Sequence, residues 1–169
     1  MHRFNRITLF AALLAAAPLA QADTATLSIS GRVLPGTCTL VAAPIALNPV
    51  TADALTPGTD SEIKPGALQF TGCVGVSKAV LSFAGTPADG DPERWKNTDT
   101  SDPAGGVSVS LLAGITGTTY LKDGDTGIDV AVTGTTARYD LRAAYYLPVG
   151  TAAGAGLVAA EIVVTADYE

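Results

Sequence analysis

An antiparallel all-β sandwich or barrel is the fold this sequence predicts, and three observations predict it. Beyond the first 22 residues, helical periodicity is almost absent. Short runs rich in Val, Ile, Leu and Thr instead alternate apolar with polar residues, and Gly, Pro, Asp and Asn punctuate them at short intervals. A period of two gives a strand one buried and one solvated face, and many such strands without intervening helices pack sheet on sheet.

The chain opens with an export signal. Arg3 and Arg6 precede the apolar run 7–17, and "LAQAD" sets the small residues Ala20 and Ala22 before Asp23, a pattern cleaved after Ala22. The run is too short to span a bilayer, and nothing later approaches the ~20 apolar residues that a membrane helix needs. Residues 23–169 are then enough for one domain.

The first strand reads over 26–34, where Leu27, Ile29 and Val33 form one face and Thr26, Ser28, Ser30 and Arg32 the other. Gly31 interrupts the apolar face. Further strands read over 37–42, 44–48, 66–74, 78–84, 106–113, 118–121, 127–133 and 137–147. Segments 51–64 and 85–104 read as loops by composition. The last strand, 157–168, has the cleanest pattern, with Val158, Ala160, Ile162, Val164, Ala166 and Tyr168 on one face. No obvious strand remains to cover its open side, and an exposed apolar edge of that length invites pairing with another chain.

Composition narrows the function. Without Arg3 and Arg6, the 10 basic residues fall to 8 against 16 acidic ones, a net charge of −8, which makes nucleic acid and anionic membrane poor partners. The single histidine, His2, lies in the export signal, so the exported part has no histidine for Ser-His-Asp, Cys-His or most zinc chemistry. Acidic clusters at Asp89, Asp91 and Glu93 and at Asp123 and Asp125 sit among turn residues. "DGDTG" lacks the third acidic position and the distal Glu of a full calcium loop and reads as a hairpin turn. The residues thus point to no enzyme, metal or cofactor. Trp95, between Arg94 and Lys96 in the 85–104 loop, is a candidate for stacking on a sugar ring, although a lone Trp in a long loop more often packs over the domain edge. Cys38 and Cys73 both lie in the exported part, where an even count reads as one disulfide.

The ordered set of motifs resembles the subunits of chaperone–usher fimbriae, the type 1 and P pilins of Gram-negative bacteria. "ATLSISGRV" is similar to their donor strand, with Cys38 following it. "GALQFTGC" is similar to the strand that ends in the partner cysteine, Cys73, and "GGVSVSLL" to the middle segment. The stretch from "YDLRAAYYLPVG" to the end is similar to the C-terminal block with its penultimate Tyr, here Tyr168. The short lead before the pattern looks more like a minor or tip-fibrillum subunit than a major pilin.

The resemblance implies an incomplete immunoglobulin-like sandwich lacking its final strand. Residues 1–22 would be the signal peptide, 23–33 the donor-strand extension and 34–169 the pilin domain. Leu27, Ile29, Gly31 and Val33 would enter a neighbour's groove, with Gly31 where that groove takes backbone and no side chain. Val158, Ala160, Ile162, Val164, Ala166 and Tyr168 of the last strand and the strand around 33–41 would flank the chain's own groove, and Glu169 would anchor a periplasmic chaperone. The implied partners are neighbouring subunits, the chaperone, an outer-membrane usher and, through the fibre, a host glycan or receptor. The implied place is a cell-surface fimbria reached through the periplasm. A carbohydrate-binding adhesive module using Trp95 is the alternative reading.

Overall fold

The computed structural model describes residues 25–169; the export signal expected over 1–22, and residues 23 and 24 of the expected extension, lie outside them. Residues 34–169 form one compact unit. It contains β1 (Thr37–Ala42), β2 (Asp60–Val74), β3 (Lys78–Gly85), β4 (Pro87–Ala88), β5 (Asp91–Trp95), β6 (Ser108–Ala113), β7 (Ile128–Ala131), β8 (Ala137–Tyr146) and β9 (Ile162–Tyr168), with one 3-10 turn at Ala52–Ala54. A six-stranded sheet runs in the order β1-β2-β8-β6-β5-β4 and a three-stranded one in the order β7-β3-β9. All the strand pairings are antiparallel. The all-β fold with two sheets is therefore the one the alternation predicts.

The core lies between the sheets, built from Leu68 and Phe70 of β2, Leu81 and Phe83 of β3, Val109 and Leu111 of β6 and Leu141 and Ala143 of β8. These are alternate residues of their strands, as a sheet with one inward face requires. Cys38 and Cys73 form the disulfide, joining β1 to β2 across a sequence separation of 35. On the outer face of the large sheet, Asp60 accepts hydrogen bonds from Ser110 and from Tyr120 at 2.8 Å. Beside it the Arg94 guanidinium lies between the rings of Tyr120 and Tyr146, at 3.5 and 4.1 Å from their centroids. This packing ties four segments of the sheet together.

Several boundaries differ from the sequence reading. Residues 25–36 carry no regular strand, so the 26–34 pattern is not realised as a ladder here. Residues 44–48 are likewise not a strand, because the β1–β2 ladder stops at Ala42–Leu68 and, among the described residues, no strand pairs with the chain beyond it. Strand β2 starts at Asp60, inside the segment read as a loop. Its Pro65 pairs with Arg142 of β8 and lies beyond Leu68, where pairing with β1 stops, so β2 is an edge there and tolerates proline. The 118–121 strand shrinks to a single bridge between Leu112 and Tyr120. The 85–104 segment contains β4 and β5, and the last strand becomes regular only at Ile162.

Candidate functional site: an open groove between the sheet edges

Strands β1 and β9 end their sheets, so each has a free edge among the described residues. Between them runs an apolar groove of about 620 Å³. One wall is 42–47, which continues from β1 with Ile45 and Leu47 turned toward the core; the other is 158–164, ending in β9. The floor is the core itself: Leu68, Phe83, Val109, Leu111, Leu141 and Ala143. A second chamber of about 550 Å³ continues past Leu47, Tyr145 and Val158 over a smaller core of Leu55, Ala104, Val107 and Leu147.

The walls are built by alternation. In the last segment Val158, Ala160, Ile162, Val164, Ala166 and Tyr168 are all half-buried, and every residue between them is exposed. In the facing wall Cys38, Leu40, Ile45 and Leu47 repeat the pattern. These residues point into the sandwich yet lack the neighbour that would finish burying them. Apolar area left this way forgoes roughly 25 cal/mol per Å².

At one end the walls meet. The Tyr168 hydroxyl donates to the Cys38 carbonyl at 3.2 Å, next to the disulfide. Glu169 is tied down beyond it: its carbonyl accepts from the N–H groups of Ser77 and Lys78 at 2.7 and 3.1 Å, and its own N–H donates to Lys78 at 2.9 Å. The Lys78 ammonium pairs with the side chains of Glu169 at 3.0 Å and Asp129 at 3.3 Å. Hydrogen bonds to Glu169 first and Asp129 second raise the Lys78 pKa above its ordinary 10.5. On the floor, the Tyr145 hydroxyl donates to the Asn48 carbonyl at 3.1 Å, and burial raises its pKa.

The predicted site residues divide between the two units of the chain. Those of the final segment and the two cysteines line or close the groove. Leu27, Ile29 and Val33 are 83 %, 87 % and 97 % exposed, and a side chain at Gly31 would touch nothing within 4 Å. The sugar-stacking candidate is corrected: Trp95 is 1 % exposed, sits in the core, and donates its indole N–H to the Leu121 carbonyl at 2.8 Å. Its ring packs where a Cβ on Gly85 would come within 2.8 Å of it, so no ring face is open to a sugar. The "DGDTG" segment is a turn, with Gly124 at φ +83° and the Asp125 carboxylate accepting from the Lys122 N–H at 2.9 Å. Sequence reasoning set the second flank around 33–41 and read 44–48 only as a strand of its own, so it missed that 42–47 is the wall, and it missed the residues that hold 157–159.

A family model described as fimbrial protein matches residues 27–169. This chain belongs to the fimbrial protein family. Solved fimbrial structures share the fold at low identity. The P pilus rod subunit PapA has 14 % identity and a TM-score of 0.60, covering 78 % of this chain and 99 % of that one. A chaperone–usher pilus subunit, from a structure concerned with rod uncoiling, has 15 % identity and a TM-score of 0.63 over 90 % and 100 %. The CupB6 tip adhesin from Pseudomonas aeruginosa has 18 % identity and a TM-score of 0.63, covering 78 % of this chain but 38 % of that adhesin. No curated protein matches the fimbrial chain in sequence. The fold is thus the pilin-like, immunoglobulin-like sandwich of a fimbrial protein.

Proposed function

We propose that this fimbrial subunit polymerises by donor-strand complementation and exchange. Residues 1–22 direct export, 23–33 are the strand lent to a neighbour, and 34–169 are the domain that receives one. The observation that carries the reading is the groove, whose floor is the protein's own core and whose walls carry half-buried apolar rows. An exposed row of matching alternation, Leu27, Ile29 and Val33, lies in the N-terminal segment of the same chain. Burying each of those side chains in a neighbour contributes ~1.5–3 kcal/mol before ordering costs, and ladder hydrogen bonds add to it. Head-to-tail donation is a heterologous contact that does not close, so it yields a fibre.

In this reading a periplasmic chaperone occupies the groove first, with Glu169 as its anchor, and the exchange for a neighbour's strand takes place at an outer-membrane usher. The fibre then stands on the surface of a Gram-negative bacterium and supports adhesion to a host glycan or receptor. The test adds a peptide of residues 23–34 to the exported chain from which 23–33 have been deleted. The reading expects a clear rise in melting temperature and no fibre growth by the deleted chain. An unchanged melting temperature, or continued growth, would sink it.

A further inference from the structure

The sheet supports only part of the groove wall. Strand β3 backs β9 as far as the pair Gly85–Ile162 and then ends. Upstream of Ile162 the wall continues through 157–161 with, among the described residues, no strand behind it. The loop 97–104 takes over. The Thr98 N–H donates to the Ala159 carbonyl at 2.8 Å, the Ala104 N–H donates to the Leu157 carbonyl at 2.8 Å, and Pro103 bridges Leu157 in parallel.

Asn97 fastens the two together. Its Nδ2 donates to the carbonyls of Leu157 at 2.9 Å and Ala104 at 3.3 Å. Its Oδ1 accepts from the N–H groups of Ala159 at 3.0 Å and Asp99 at 3.1 Å. All four hydrogen-bonding positions of the amide are filled, two of them by the wall itself. The fit is close, since a Cβ on Gly156 would come within 2.5 Å of the Asp102 carbonyl oxygen.

Parity gives this clip a consequence. In an extended segment successive residues turn their backbone groups to opposite edges. The bonds to the loop use Leu157 and Ala159, and the bonds of Glu169 to Lys78 use the same odd-numbered set. The even-numbered residues 158–168 therefore turn their N–H and C=O groups toward the groove along the whole wall. Among the described residues, nothing bonds to the backbone of Val158 or Ala160.

We infer that Asn97 is a positioning residue for strand acceptance: it extends the ladder-ready edge past the end of β3 and so sets how far along the groove an incoming strand is held. The inference rests on the donor-strand reading above and adds the determinant of one end of the bound strand. Asp99 supports it indirectly, its carboxylate accepting from the N–H groups of Ser101 and Asp102 at 2.9 and 3.0 Å.

The test measures binding of three labelled peptides, residues 23–34, 23–30 and 27–34, to the full exported chain, wild type and Asn97→Ala. Losing the net contribution of one or two ladder bonds weakens the full peptide about tenfold. Of the two shortened peptides, the one that no longer reaches 157–161 should bind wild type and variant alike. Asp99→Ala should reproduce the pattern at smaller size, and amide exchange should speed up at Ala159 but not at Leu81. Equal weakening of all three peptides, or of none, overturns the inference. If no peptide binds the wild type, the donor-strand reading itself fails, which is a different result from an Asn97 variant that binds normally.

Discussion

Strands β3 and β9 run side by side, paired from Ala79–Tyr168 to Gly85–Ile162, and in both an apolar residue turns inward at every second position. The inward residues of β3, Ala79, Leu81 and Phe83, are 0 %, 0 % and 1 % exposed, whereas those of β9 are all half-buried. The residue types do not explain the contrast. Strand β3 has a neighbour on each side and β9 has one, so the same alternation is finished in one strand and unfinished in the next. How deeply an inward side chain is buried is a property of the next strand over as much as of its own.

If the unfinished side relies on covalent and polar ties where the finished side relies on packing, the largest effect should come from the disulfide. Replacing both Cys38 and Cys73 by Ser frees β1, and with it one groove wall, at a cost of about 4 kcal/mol in denaturant unfolding. A loss below ~1 kcal/mol would break the comparison at its strongest point. Next in size, Leu81→Ala in the finished strand should cost about 3 kcal/mol, whether or not the groove is filled. Val164→Ala in the unfinished strand should cost only about 0.8 kcal/mol in the empty protein and more once a peptide of residues 23–34 is bound. Equal costs for Val164→Ala with and without peptide would mean that the groove is not where burial is completed.

The smallest effect concerns the tie at Glu169. Because the folded-state pKa of Lys78 is raised, the stability it contributes is present below 10.5 and is lost as pH climbs through that raised value. The melting-temperature difference between wild type and Lys78→Met should therefore be constant from neutral pH to about pH 9 and vanish once the pH has passed the raised value. A difference that persists there would assign the Lys78 effect to its alkyl chain instead of its charge.

Much of the fold was legible because it depends on alternation. The inward rows of 37–42, 78–84 and 157–168 follow from period two alone, and two cysteines in a sequence that reads as exported need only each other. The open side of the final strand was legible too, since Val158 to Tyr168 form an apolar row with no obvious cover. The rest depends on contacts between segments far apart in sequence. Trp95 sits among charged and turn residues, and nothing local says that its indole reaches the Leu121 carbonyl. Strand β5 was invisible because Asp91, Pro92 and Glu93 break the pattern, and a single pair, Trp95–Val109, joins it to β6. Asn97 carried no signal at all, for its four bonds reach segments up to 62 residues away.

The hydrogen bond from Tyr168 to the Cys38 carbonyl has a consequence for length as well as for stability. By joining the two walls beside the disulfide it gives the groove a stopped end, while the second chamber leaves the other end open. A channel stopped at one end works as a gauge. On the donor-strand proposal, a guest strand pushed against the stop would overhang only at the far side, and the groove would then test how long a strand is as well as how its side chains alternate.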